Sequence, residues 1–303
     1  MHAHTHGHSH SHGGATRSGA FAWGMGLNVA FIAAEVIFGV RAHSLALLAD
    51  AGHNLGDVLG LGLAWGALVL GQRPPTERHT YGMRRASILA ALANAILLLV
   101  AVGGIAWEAL QRLGHPGPVA GNVVMAVAGL GVVINGSTAL LFLSGRKEDI
   151  NVRGAFVHMA ADAVVSLGVV VAGLAMARSG WLWLDPAVSL VIGAVIIWGT
   201  WSLLRESLRL AMDAVPQEVD FQQVEAYLQR LPGITAVHDL HIWAMSTTEI
   251  ALTAHLVKPD AEVDDALIQR INRELHERFR IEHTTIQLER EDGRCSQAPA
   301  NVV

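Results

Sequence analysis

"SLALLADAGHNLGDVLGLGLAWGALVL", residues 44–70, decides how the rest of the chain is read. The stretch is almost wholly apolar and long enough to cross the ~30 Å hydrocarbon core of a bilayer as a helix. Yet it carries an imidazole and a carboxylate four residues apart, His53 and Asp57, with Asp50 just upstream. A carboxylate at the centre of a membrane costs a few kcal/mol (roughly 2.5–3.5) even on lenient insertion scales. Some partner has to offset that cost.

Composition sets the frame. The chain has 303 residues, 52% of them hydrophobic and only 16% charged, against about 25% charged in ordinary soluble domains. With apolar residues in such long blocks, this is an integral, multi-pass membrane protein. The single cysteine, Cys295, lies in a polar tail, which excludes a disulfide framework and a thiolate metal cage. A net charge of −5 without a basic cluster argues against nucleic acid as a partner. No cleavable leader pattern precedes the first apolar segment.

Three parts follow from patterning. Residues 1–19 place His at 2, 4, 6, 8, 10 and 12 among Gly and Ser, a disordered tail suited to loose capture of zinc, copper or nickel. Expression tags usually run histidines consecutively; the alternation here looks native. Residues 20–210 contain six apolar stretches, near 20–40, 44–70, 86–110, 119–144, 153–177 and 186–208. Ten Lys/Arg fall in the loops on one side (Arg17, Arg73, Arg78, Arg84, Arg85, Arg146, Lys147, Arg153, Arg205 and Arg209) and three on the other (Arg41, Arg112 and Arg178). That asymmetry puts both termini in the cytoplasm, of the plasma (inner) membrane if the source is prokaryotic.

Residues 211–292 differ in kind. From 213 to 292 there are 16 Asp/Glu against 7 Lys/Arg and no spanning segment. Helix spacing at Phe221–Leu231, a "PG" break at 232–233, two strands in "ITAVHDLHIWAM" and "EIALTAHLV", a helix over Asp264–Phe279 and a last strand "HTTIQLE" give the order α-β-β-α-β. The predicted fold is therefore an all-α six-helix transmembrane bundle plus a small cytoplasmic α+β domain, with a tail at 293–303.

"HMAAD", His158 to Asp162 in the fifth apolar stretch, repeats the opening pattern. On a helix, residues i and i+4 share one face. With the N-terminus inside, at 1.5 Å per residue, His53 and Asp57 lie roughly 13 and 20 Å below the outer edge. Counted the other way along the fifth span, Asp162 and His158 lie about 15 and 21 Å below the same edge. Two imidazoles and two carboxylates meet at one depth. A tetrahedral N₂O₂ donor set suits Zn²⁺ and also admits Co²⁺, Ni²⁺, Fe²⁺ or Mn²⁺. A bound dication neutralises both carboxylates; protons take its place when it leaves, which is the chemistry of metal/proton exchange. Asp50, one turn above His53, faces the same way and is a possible proton relay or a helix-end carboxylate. Glu35 and Glu108 read as interfacial residues near span ends.

An enzyme reading fails on its requirements. An intramembrane metallohydrolase needs an open coordination position and a general base, and HExxH is absent; "HERFR" at 276–280 is no variant of it. A metal sensor has no reason to hold ligands mid-membrane, and an organic-cation exporter has no need of a tetrahedral donor set.

Beyond the paired HxxxD motifs, "RHTYGMRRASILAAL", "DPAVSLVIGAVII" and "VHDLHIWAMS" resemble signatures of the cation diffusion facilitator family, in its zinc-transporting branch. The resemblance spans about residues 18–290. It implies a homodimer with metallochaperone-like cytoplasmic domains, exporting divalent metal by alternating access in exchange for protons. Zn²⁺, with Co²⁺, Cd²⁺, Ni²⁺, Fe²⁺ or Mn²⁺ as alternatives, is then cargo and no cofactor is needed. The family's transport ligands match His53, Asp57, His158 and Asp162. A loop metal site of some members would use His79 and a histidine four residues on, where Met83 stands, which leaves His79 a weak ligand candidate or a solvated loop histidine. The pattern of some relatives maps a cytoplasmic metal site onto His238, His255, His283 and Glu289. His241, three residues past His238, belongs on the opposite strand face by simple alternation.

Overall fold

The computed structural model describes residues 14–143, 150–259 and 265–290. The histidine tract at 2–12 and the tail at 293–303 lie outside them. In chain order the elements are α1 (Gly14–Ala42), α2 (Leu45–Gly71), α3 (Ala86–Gly114), α4 (Gly121–Phe142), α5 (Ile150–Ser179), α6 (Leu184–Ala211), α7 (Phe221–Gln229), β1 (Ala236–Ala244), β2 (Ile250–Val257), α8 (Asp265–Phe279) and β3 (His283–Glu289). Among the described residues, five helices are long and apolar enough to cross a membrane: α2, α3, α4, the Phe156–Ser179 part of α5, and α6. α1 covers the first apolar stretch and starts at Gly14, so residues 14–19 are helix, where a disordered tail was expected. No proline interrupts the run from 14 to 42, and Ala15 and Arg17 are good helix formers.

Apolar side chains face outward on these helices. Trp198 of α6 is 86% exposed and Leu141 of α4 79%, surface that water would punish and lipid tails accept.

The chain divides into two compact units. One takes the chain up to Leu59 together with Leu97–Gly199; the other takes Gly60–Ile96 together with everything from Thr200 on. In the first, Leu47, Val102, Val124, Ala128 and Val169 form a buried core. α4 and α5 approach closely because both carry glycine at the contact: a Cβ on Gly121 would lie 2.8 Å from the Gly173 carbonyl oxygen. α1 ends in a Schellman turn, with His43 at φ 55° and Ser44 N–H donating to the Gly39 carbonyl at 2.9 Å. α2 starts at once on a borrowed cap. Asp185, at the head of α6, accepts from Ser44 Oγ (2.5 Å), Leu45 N (2.7 Å) and, more weakly, Ala46 N (3.4 Å). The first turn of a helix has no intrahelical partners for its N–H groups, so this carboxylate fixes where α2, and with it His53, begins.

In the second unit, β1, β2 and β3 form a sheet in that order, β1–β2 antiparallel and β2–β3 parallel. The α-β-β-α-β order is as expected. Val224 and Leu228 of α7 and Leu267, Ile271 and Leu275 of α8 pack on Leu240, Ile242, Leu252 and Leu256, covering one sheet face. Asp220 caps α7 by accepting from Gln223 N at 3.2 Å. The β1–β2 turn is tied to the start of α3: Thr247 N–H donates to Ser87 Oγ (3.1 Å) and Arg84 pairs with Glu249 (3.1 Å).

Candidate metal centres

α2 and α5 present their HxxxD pairs to each other within the first unit. His53 Nε2 lies 3.3 Å from Asp162 Oδ1 and 4.0 Å from Asp57 Oδ2. His158 Nε2 lies 3.2 Å from Asp57 Oδ2 and 3.6 Å from Asp162 Oδ2. The imidazoles meet edge to face, centroids 6.1 Å apart. A tetrahedral zinc site with bonds of ~2.05 Å has ligand–ligand edges of about 3.3 Å. The four histidine–carboxylate distances, 3.2–4.0 Å, lie around and above that edge; ligand atoms of His53, Asp57 and Asp162 all fall within 4.8 Å of one another, and His158 joins them through the two carboxylates.

Exposure is graded across the cluster. Asp162 is 3% exposed and His53 26%, against 35% for Asp57 and 43% for His158. The cluster is therefore open on the Asp57/His158 side and sealed behind Asp162.

What seals it is polar. Asp50 is fully buried and accepts from Ser166 Oγ at 3.2 Å. Glu35 of α1 is fully buried too, accepting from Asn54 Nδ2 at 3.1 Å. The interfacial placement expected of Glu35 is thus incorrect. Its side chain turns toward α2, where Asn54 supplies a donor that lets the carboxyl sit in the packed interior. Glu108 sits as expected, half-exposed and paired with Arg112 at 2.9 Å.

The second cluster lies on the sheet face away from α7 and α8. His238 and His255 are cross-strand partners. His238 Nε2 is 3.3 Å and His255 Nδ1 3.1 Å from the Glu289 carboxylate. His283, expected with them, stands apart: six residues from Glu289 along β3 is about 20 Å, and its ring packs edge-on against Tyr81 at 5.4 Å. His79 is exposed in its loop and belongs to neither cluster.

Sequence reading missed Asp239. The β1–β2 register slips between His238 and His241, and Asp239 takes φ 51°. This bulge adds one residue to β1, so His241 emerges on the same face as His238, contrary to simple alternation. Asp239 then bridges His255 Nε2 (3.4 Å) and His241 Nε2 (2.9 Å). A hint was available: Asp is depleted in strands and tolerates positive φ.

Apolar helices long enough to cross a membrane, two of them presenting paired imidazoles and carboxylates to each other, define a membrane protein with a candidate cation site in its bundle. The chain belongs to the cation efflux (cation diffusion facilitator) family: residues 23–211 match the cation efflux transmembrane domain and 216–291 the cation efflux protein cytoplasmic domain. Among its relatives, the metal cation efflux system protein CzcD of Cupriavidus metallidurans is 37% identical over 277 residues, 91% of this chain and 87% of that one. The zinc transporter ZitB of Escherichia coli is 35% identical, covering 88% and 86%. A cadmium, cobalt and zinc/H(+)-K(+) antiporter of Bacillus subtilis is 32% identical, covering 85% and 84%.

Proposed function

We propose that this protein exports divalent transition-metal cations, zinc foremost, from the cytoplasm in exchange for protons, with His53, Asp57, His158 and Asp162 as the travelling ion's ligands. The observation that carries this is the convergence of the four side chains, with histidine–carboxylate distances of 3.2–4.0 Å against a tetrahedral edge of about 3.3 Å. The names of the relatives, a zinc transporter and a cadmium, cobalt and zinc antiporter among them, point the same way.

The cycle follows from donor chemistry. Metal binding requires neutral imidazoles and ionised carboxylates, so protons and the cation compete for the same atoms. α1 serves as the sixth span, both termini are cytoplasmic, and the membrane is the plasma (inner) membrane. On that orientation Asp57 and His158 are the cytoplasmic members of their pairs. The graded exposure then corresponds to an inward-open state, loading from the cytoplasm and closed outward by the Asp50 and Glu35 layer. Alternating access reverses the gradient, and outside protons displace the metal.

In this reading residues 20–210 are the membrane domain and 211–292 the cytoplasmic domain through which two protomers pair. The His238, His255 and Glu289 cluster, with Asp239, has donors a zinc ion accepts; bound there, the ion would cross-link β1, β2 and β3.

Zinc uptake into proteoliposomes under an imposed pH gradient tests the assignment. Asp57→Ala and Asp162→Ala should each abolish flux while the protein stays folded. Undiminished flux in either variant refutes the four-ligand site.

A further inference from the structure

Glu35 and Asp50 come from different helices, α1 and α2, and both are fully buried. Each carboxyl has one satisfied oxygen: Glu35 Oε2 accepts from Asn54, and Asp50 Oδ2 from Ser166. The remaining oxygens, Glu35 Oε1 and Asp50 Oδ1, are buried with no donor among the described residues. Asn54, which holds Glu35, stands four residues on from Asp50 along α2, so the two carboxyls address one face of that helix. An ionised carboxyl only accepts; two can bond to one another only when one holds a proton. A single proton supplies the missing donor and halves the charge that burial would otherwise penalise.

Their surroundings offer no alternative. His53, one turn along α2 from Asp50, and Asp162, one turn before Ser166 on α5, are engaged with each other. α4 carries no titratable residue along its length. α6 brings only Asp185 within this unit, engaged at the head of α2. Among the described residues, no basic side chain bonds to the pair.

We propose that Glu35 and Asp50 form a proton-binding site, separate from the metal ligands, which holds one shared proton while the four-ligand cluster carries metal. It rests on reading that cluster as the metal/proton exchange site. Asp50 is one turn outward from His53, and Ser166 one turn on from Asp162. The pair therefore lies where a proton entering from outside would pass before reaching the ligands. The step is a transfer only: the proton leaves the carboxyl pair for a metal ligand as the cation departs, and an outside proton refills the pair. Four ligands alone would tie every exchanged proton to an atom the metal also needs. The pair keeps one proton at hand while the metal occupies all four.

Infrared difference spectroscopy of the full-length protein, loaded with zinc at neutral pH, reads the proton directly. Zinc loading forces both ligand carboxyls to be ionised, so they contribute no protonated C=O stretch. Wild type should show one such band, shifted in D₂O, and Glu35→Gln should lose it. The same variant in proteoliposomes should lose most of the acceleration that an opposing proton gradient gives to zinc flux. Should Glu35→Gln fail to load zinc, Asp50→Asn supplies the same comparison. Zinc-loaded wild type without the band, or a band unchanged in both variants, overturns the proposal. Failure of wild type itself to bind zinc through Asp162 would instead overturn the four-ligand reading, so the two are told apart.

Discussion

The two aspartates of the bundle cluster are interchangeable in sequence, each the last residue of an HxxxD pair, but not in the structure. Asp162 is 3% exposed and touches both imidazoles, at 3.3 and 3.6 Å. Asp57 is 35% exposed, with contacts of 3.2 and 4.0 Å. Replacing each by asparagine keeps shape and removes one anionic donor. For a buried charge, losing its partner costs about 2–5 kcal/mol. At 1.4 kcal/mol per tenfold, Asp162→Asn should weaken zinc binding by a factor of about 30 to a few thousand. At Asp57, water screens the loss, and the figure drops toward 1–2 kcal/mol, roughly 5- to 30-fold. Competition of the purified full-length variants against a zinc-chelating dye measures both. Equal losses, or a larger one at Asp57, would refute the claim that the cluster is sealed behind Asp162.

Other consequences are open to measurement. Asp185→Ala strips the cap from α2 and leaves buried donors at Ser44 and Leu45, a loss of about 2–4 kcal/mol; Asp185→Asn, which keeps one acceptor oxygen, should cost about half as much in denaturant unfolding in detergent. His53→Asp makes the donor set harder and richer in oxygen, so cadmium or manganese flux should rise relative to zinc in proteoliposomes; parental ratios in a variant that still transports would remove His53 from the ligands. Deleting residues 2–13 should lower apparent zinc affinity and leave the maximal rate nearly unchanged, as expected of a tract that offers imidazoles for loose metal capture but none of the four bundle ligands; complete loss of transport would contradict this.

Much of this architecture was legible because two periods dominate the sequence. Apolar blocks gave the helices, and i, i+4 spacing at calculable depth gave the meeting of His53, Asp57, His158 and Asp162. The α-β-β-α-β order was readable for the same reason: Leu267, Ile271 and Leu275 keep helical spacing, and the strands alternate. What escaped depends on where elements end and how they pack. Glu35 looked interfacial because it lies within two turns of the end of its apolar stretch; that its side chain turns inward to Asn54 of α2 is set by packing. Asp185 reads as an acidic helix start; that it caps a different helix 141 residues away is set by tertiary packing. The bulge at Asp239 reverses the alternation on which the placement of His241 relied. His283 was grouped with Glu289 through a family pattern, and strand length alone separates them.

The measurement that bears most directly on the four-ligand site is X-ray absorption at the zinc edge. The sample is the protein lacking residues 2–13 and carrying His238→Ala and His255→Ala, loaded with one zinc per chain. Two imidazoles and two carboxylates predict four nitrogen or oxygen scatterers at about 2.0–2.1 Å with the outer-shell pattern of two imidazole rings, and its disappearance in the same protein with Asp162→Asn. A six-coordinate oxygen shell, or a spectrum indifferent to Asp162, would contradict it.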